Sequence, residues 1–132
     1  PQERTAFCVP VASQSVVDLT SPPLVRDRAI WAHPTAYDPC QALADRAREA
    51  GVQALRYESV RDPSRGANLA VFSPQALSSK VPMTRETWWL MLRRDRVEAL
   101  REMPRMMLSF MFTGWADDLR IPDAMGGDPQ PA

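Results

Sequence analysis

A helix signal over residues 39–50 limits most strongly how this chain can fold. Asp38 is a residue type that caps helix N-termini, Pro39 suits the first helical position, and Gly51 suits the position after the C-cap. Between these limits, apolar residues recur at the spacing of one helix face: Cys40, Leu43, Ala44 and Ala47. We therefore predict an amphipathic helix whose small apolar side chains allow close packing against a sheet.

Short apolar, β-branched runs on both sides of this helix predict strands. They cover residues 5–11, 15–19, 52–57 and 68–72. A further short helix is predicted over residues 24–32. Prolines and turn-forming residues separate these elements, as in the loop over residues 61–66. At 132 residues, the chain is long enough for one domain of mixed helices and strands.

The segment over residues 84–102 fits two structures. Its periodicity allows one long helix, and it equally allows a hairpin that turns at residues 93–96. The adjacent Trp88 and Trp89 favour the hairpin, because aromatic side chains pack well on a pleated surface. The methionine-rich residues 103–115 that follow predict either a buried helix or an association surface.

Composition argues against several classes of partner and site. Sixteen basic residues balance sixteen acidic ones, so the basic excess typical of proteins that bind nucleic acid or anionic membranes is missing. No apolar run reaches the roughly 18 residues of a membrane span. Cys8 and Cys40 lack the paired spacing of a zinc or redox site, which favours reduced thiols in the cytoplasm. His33 is the single histidine, so a structural cap is favoured over a catalytic base and we predict no metal site.

The segment with the clearest functional signal follows the central helix. A strand turns polar at Ser59 and Arg61, and alternation along a strand would project both side chains to one face. An arginine and a hydroxyl together can bind a phosphate or a ribose. Taken from the residues alone, the same pattern also fits ordinary turn chemistry at a strand end.

The segment from Tyr57 to Arg61 resembles the Y-x-S-V-R motif of the RES domain, which is named for an arginine, a glutamate and a serine. Residues 17–20 are similar to the family's V-D-L-T strand, Trp31 to a tryptophan after its short helix, and Trp88 to one in its last hairpin. The resemblance is strongest over residues 5–101. It implies that residues 1–120 are the C-terminal portion of a RES domain, followed by a flexible tail over residues 121–132.

The resemblance implies a fold and an activity. Family members resemble ADP-ribosyltransferases, so we expect an α/β (α+β) fold with a split antiparallel sheet core and flanking helices. They are bacterial toxins that degrade NAD by hydrolysis or phosphorolysis and are neutralised by a cognate antitoxin. NAD would be the substrate, with no cofactor, and the antitoxin a partner; the methionine-rich segment leaves a homodimer open as well.

Residue by residue, Ser59 matches the family serine and would be catalytic, orienting the glycosidic bond. Arg61 would contact a phosphate, and Tyr57 and Asn68 are further candidates for substrate binding. The family's arginine and glutamate lie upstream of the V-D-L-T strand and have no recognisable match here. Because the chain begins without an initiator methionine, we expect it to be part of a longer protein. A catalytically silent fragment or interaction module is the alternative hypothesis.

Overall fold

A computed structural model describes residues 1–62 and 64–115 and divides the chain into two compact units. The first unit consists of Pro1–Cys8 and the chain from Met83 onward, and the second consists of Val9–Pro82. In chain order the strands and helices are β1 (Gln2–Cys8), β2 (Val16–Asp18), α1 (Arg28–Trp31), α2 (Asp38–Glu49), β3 (Ala54–Glu58), β4 (Ala67–Val71), β5 (Thr84–Leu92), β6 (Arg96–Arg101) and β7 (Met106–Met111).

The first unit is a four-stranded antiparallel sheet in the order β1-β5-β6-β7. β5 and β6 form the predicted hairpin, in which Trp89 lies opposite Leu100 and the Arg93 amide donates to the Arg96 carbonyl across the turn at 2.8 Å. The hairpin prediction is therefore confirmed, and a helix over residues 84–102 is wrong.

The methionine-rich segment is a strand, so the predicted buried helix over residues 103–115 is also wrong. β7 pairs with β6 along its whole length, from Met106 opposite Arg101 to Met111 opposite Arg96. Pairing with a neighbouring strand overrides the helix-compatible apolar pattern of this segment. Met107 and Met111 remain 55% and 46% exposed, which leaves the alternative of an association surface as a prediction.

The second unit contains a three-stranded sheet in the order β2-β3-β4, with β2 parallel and β4 antiparallel to β3. A parallel pair requires a long crossover connection, and here this connection carries α1 and α2. Leu19, Ala47 and Leu55 form the buried core of the unit. Leu43, Trp31 and Phe72 are among the partly buried side chains that pack around them.

The central helix agrees with its prediction in extent and in its apolar face. Ala47 is buried, and Cys40, Leu43 and Ala44 are half-buried. The N-cap is Tyr37 and not Asp38, so Pro39 occupies the second helical position and not the first. The exact first residue of a helix depends on local geometry that the sequence does not specify. Gly51 has φ = 75°, the left-handed conformation that ends many helices and that glycine adopts without strain.

The predicted α+β class is confirmed, since helices and two separate sheets occur in the described residues. The helix predicted over residues 24–32 is present as a 3-10 turn, Leu24–Asp27, that continues into α1. No helix within the described residues is long and apolar enough to cross a membrane. The predicted tail over residues 121–132 lies outside the described residues, and the 1–120 boundary stays a prediction.

Candidate functional site

The predicted site residues lie around the end of β3 in the second unit. Tyr57 is on β3 directly opposite Asn68 on β4, so these two candidates are neighbours across the sheet. β3 ends at Glu58, and Ser59 follows it with its amide donating to the Gly66 carbonyl at 2.8 Å. The two strand ends are thus joined at the residue that matches the family serine.

Asp62 organises the loop that connects Ser59 to β4. One of its carboxylate oxygens accepts from the Gly66 amide at 3.0 Å and the other from the Ser64 amide at 2.9 Å. A Cβ atom at position 66 would lie 2.5 Å from the Asp62 Oδ2 atom, which is closer than real Cβ contacts allow. Glycine at this position therefore allows the carboxylate to bind the loop amides and fixes the loop beside Ser59.

A cavity of about 270 Å³ lies within the second unit beside these residues. Its walls are mainly apolar and aromatic. They include Leu19 and Leu55 from the core, Cys40, Ala44 and Arg48 from α2, the rings of Trp31, Tyr37, Tyr57 and Phe72, and Glu58 and Val60 from the strand end. A concave, largely apolar surface with few polar groups is typical of small-molecule sites.

Glu58 is the carboxylate of this cavity wall, and Arg28 at the start of α1 holds it. Arg28 donates from Nε and Nη2 to the two Glu58 oxygens, each at 2.5 Å, and the Arg65 Nε atom lies 3.9 Å away. These contacts, above all the hydrogen bonds from Arg28, lower the pKa of Glu58 below its ordinary value. Glu58 is therefore ionised at neutral pH although its side chain is only 17% exposed.

Arg48 is the second charged side chain of the cavity wall. The Arg48 guanidinium lies over the Phe72 ring at 4.4 Å from its centre, a cation–π contact between two wall residues. The Trp31 indole N–H is buried and has no hydrogen-bond partner among the described residues. By contrast, the Tyr37 hydroxyl donates to the Pro34 carbonyl at 2.7 Å and the Cys40 thiol donates to the Tyr37 carbonyl at 3.0 Å.

Of the four predicted site residues, Tyr57 lines the cavity, and Ser59, Arg61 and Asn68 are not among the described residues of its wall. Arg61 donates from Nη2 to the Pro34 carbonyl at 3.1 Å. Among the residues that the structure describes, none forms a hydrogen bond with the Ser59 hydroxyl. The structure thus gathers Tyr57, Ser59 and Asn68 at one strand end, but it does not place Ser59 and Arg61 together in the cavity.

Sequence reasoning missed Glu58 and Trp31 as site candidates. Glu58 stands inside the recognised motif, and its partner Arg28 lies 30 positions away in the chain, beyond any local pattern. His33 has a structural role, but it caps the turn that follows α1 and not the helix itself, whose C-cap is Ala32. The His33 Nδ1 atom accepts from the amides of Thr35 and Ala36, at 3.2 and 2.9 Å. No group of three His, Cys, Asp or Glu side chains that could hold a metal occurs in residues 1–62 and 64–115.

The segment after β2 is fixed by a separate network around Asp18. Its carboxylate accepts from the Thr20 hydroxyl at 2.6 Å, the Thr20 amide at 2.8 Å and the Ser21 hydroxyl at 3.0 Å, and it pairs with Arg56 at 3.1 Å. The hydrogen bonds from Thr20 make the largest contribution and lower the pKa of Asp18 to about 2. This network joins β2 to β3, so it supports the sheet that carries the cavity.

A comparison with known protein families matches residues 1–93 to the RES domain. The chain belongs to the RES-domain family. The match includes β2, both helices, the hairpin's first strand and the whole Tyr57–Arg61 motif, so the predicted family is confirmed. Among curated proteins, a search finds no significant match. Within this RES domain the motif serine, the loop organised by Asp62 and the aromatic cavity all belong to the second unit.

Proposed function

We propose that this RES domain degrades NAD by cleaving the bond between nicotinamide and ribose. The observation that supports the proposal is the position of the family motif: Tyr57 and Glu58, directly before Ser59, line an aromatic cavity. The motif thus lies beside a surface suited to a flat ring, and it contributes an ionised carboxylate there. The family implies NAD as the substrate and no cofactor.

The proposed chemistry needs charge and positioning more than acid catalysis. Breaking the glycosidic bond leaves an oxocarbenium-like ribose, which a nearby carboxylate such as Glu58 stabilises. Nicotinamide leaves as a neutral molecule with the electron pair of the bond. Water, losing a proton, or phosphate then forms the new bond to the ribose carbon. Ser59 would orient the ribose, and Arg61 would hold a phosphate of the substrate.

The partner of the proposed enzyme is a cognate antitoxin, and the compartment is the bacterial cytoplasm. An uncontrolled activity of this kind would deplete the NAD of the cell that makes the enzyme, so that cell needs a protein that blocks the active site. The methionines of β7 offer an exposed apolar surface for this contact. A homodimer through the same strand is the other arrangement compatible with that surface.

Nicotinamide release from NAD tests the proposal. The protein in its full-length form is incubated with NAD, with and without phosphate, and Ser59→Ala is compared with Ser64→Ala, an exposed serine of the adjacent loop. Removing a hydrogen bond to the substrate should slow release at least about tenfold in Ser59→Ala, with Ser64→Ala unchanged. Equal rates in the two variants and the parent would remove Ser59 from the site, and no release from the parent would refute the proposal.

A catalytically silent RES domain is the second candidate, and one observation favours it. Ser59, Arg61 and Asn68 are not among the described residues of the cavity wall, and the Arg61 guanidinium donates to the Pro34 carbonyl. Such a protein would retain its fold and its antitoxin contact without turnover. Co-purification with the antitoxin together with no nicotinamide release would support this second candidate.

A further inference from the structure

Arg48, on the last turn of α2, is the one arginine or lysine among the described residues of the cavity wall. Its side chain is 53% exposed, so a ligand that enters the cavity from solvent can reach the guanidinium. The central carbon of the guanidinium lies 4.4 Å from the centre of the Phe72 ring, which is a second wall residue. This cation–π contact holds the charge beside the opening of the cavity.

Most of the N–H donors of Arg48 have no partner among the described residues. The Nη1 atom donates to the Asp45 carboxylate at 2.8 Å, whereas no described residue accepts a hydrogen bond from Nε or Nη2. The Asp45 side chain is 71% exposed, and such a surface ion pair contributes at most about 1 kcal/mol, so it competes only weakly with a ligand. A guanidinium that contacts an aromatic ring keeps the donors at its edge, which bind phosphate oxygens well.

The size of the cavity limits how much of a nucleotide it can enclose. Its volume of about 270 Å³ lies just below the usual range for ligand pockets, so it suits a single ring system and not a whole dinucleotide. The aromatic rings in its wall favour a flat group. A nucleotide whose ring lies in the cavity therefore places its phosphate outside, towards the solvent-exposed part of the wall. Arg48 supplies a cation there.

We propose that Arg48 is a specificity-determining residue that binds the phosphate nearest to the nicotinamide ring of NAD. The choice of NAD rests on the proposed function, whereas the combination of an aromatic cavity and an exposed guanidinium rests on the structure alone. The contact is a charge-assisted hydrogen bond and transfers no proton. It distinguishes a nucleotide from a nucleoside with the same ring, because only the nucleotide carries the anion. Arg61, outside the described wall, remains the candidate for the other phosphate.

Calorimetric titration with the carbocyclic analogues of nicotinamide riboside and nicotinamide mononucleotide, which differ by one phosphate, tests the proposal. A methylene group replaces the ribose ring oxygen in these analogues, so no oxocarbenium ion forms and binding is measured without cleavage. We expect the full-length protein to bind the mononucleotide analogue at least about tenfold more tightly than the riboside analogue. Arg48→Gln should largely lose this preference. It should keep the parent's affinity for the riboside analogue, which also shows that the variant is folded.

Arg46→Gln is the matched control, because Arg46 is exposed on the same helix and is not among the described residues of the cavity wall. This variant should retain the parent's preference. A preference that is absent from the parent, unchanged in Arg48→Gln or equally lost in Arg46→Gln would overturn the inference. Loss of riboside-analogue binding in Arg48→Gln would also overturn it, since Arg48 would then act by shaping the cavity through Phe72.

The two proposals fail in different ways. An Arg48-dependent preference for the mononucleotide analogue, without release of nicotinamide from NAD, would refute the proposed function and leave the phosphate site standing. Release of nicotinamide from NAD at the same rate and with the same KM in the parent and Arg48→Gln would support the proposed function and overturn the role of Arg48.

Discussion

Arg28 binds both carboxylate oxygens of Glu58, with its Nε and Nη2 atoms each 2.5 Å from one oxygen. This bidentate salt bridge connects the first residue of α1 to the last residue of β3. It orients the only carboxylate among the described residues of the cavity wall. It also keeps that carboxylate charged, which gives the first prediction.

Replacing Arg28 by glutamine should raise the pKa of Glu58 toward its ordinary value of 4.5. The lowered pKa in the folded state means that the pair stabilises the fold above pH 4.5 and that this contribution is lost as pH falls through the lowered pKa. The Glu58 carboxyl carbon, followed by NMR across the acid range, reports the change. Arg26→Gln, two positions earlier, is the control, because Arg26 donates to the Pro23 carbonyl and not to Glu58. An unchanged Glu58 titration in Arg28→Gln would contradict the prediction.

Asp18→Asn should make the free energy of unfolding depend less on pH in the acid range. The pKa of Asp18 is about 2 in the folded protein and 3.8 ordinarily, so its contribution is complete above 3.8 and is lost as pH falls to about 2. The difference in unfolding free energy between parent and variant, measured by denaturant titration at several pH values, should shrink within that window. Thr20→Val removes the hydrogen bond that lowers the Asp18 pKa most, so this pKa should rise in the variant. If the unfolding free energies of the parent and Asp18→Asn differ by the same amount from pH 5 to pH 2, Asp18 is not the group that titrates.

Gly66→Ala should destabilise the loop beside Ser59 by about 1 kcal/mol, because the new methyl group displaces the Asp62 carboxylate from the loop amides. Thermal or denaturant unfolding measures the loss. The same substitution in an Asp62→Ala background should cost little, since the crowding atom is gone. Additive losses in the double variant would show that Asp62 is not the cause.

Leu55→Ala should lower the free energy of unfolding by about 2–4 kcal/mol, because Leu55 is 6% exposed and packs in the core. Leu69 on the adjacent strand β4 is 41% exposed, and Leu69→Ala should change stability by no more than about 0.5 kcal/mol. Because Leu55 also lines the cavity, its truncation enlarges that space. Similar losses in the two variants would contradict the assigned core.

Local signals predicted the elements whose structure depends on nearby residues. α2 followed from a proline near its start, a glycine after its end and one apolar face, and all of these act within a few turns. The helix starts one residue earlier than predicted, with Tyr37 and not Asp38 as its N-cap. β7 was missed because its structure depends on pairing with β6, and an apolar run of that length suits a strand or a helix equally.

The sequence predicted only part of the candidate site, because it did not show where strand β3 ends. Strand alternation would place Ser59 on the same face as Tyr57, but β3 ends at Glu58 and the alternation ends with it. Tyr57 therefore lines the cavity and Ser59 does not. Trp31 was known only as part of the family resemblance, because an unpaired N–H becomes visible only when its surroundings are known.

The Met83 amide donates to the Cys8 carbonyl at 2.9 Å, just where β1 ends and β5 is about to begin. The polypeptide therefore leaves the four-stranded sheet and returns to it at adjacent points, with Val9–Pro82 as an excursion between them. During synthesis, more than seventy further residues are added after β1 before its hydrogen-bonding partner β5 is complete. A short linker from Cys8 to Met83 would turn this long-range strand pairing into a local one.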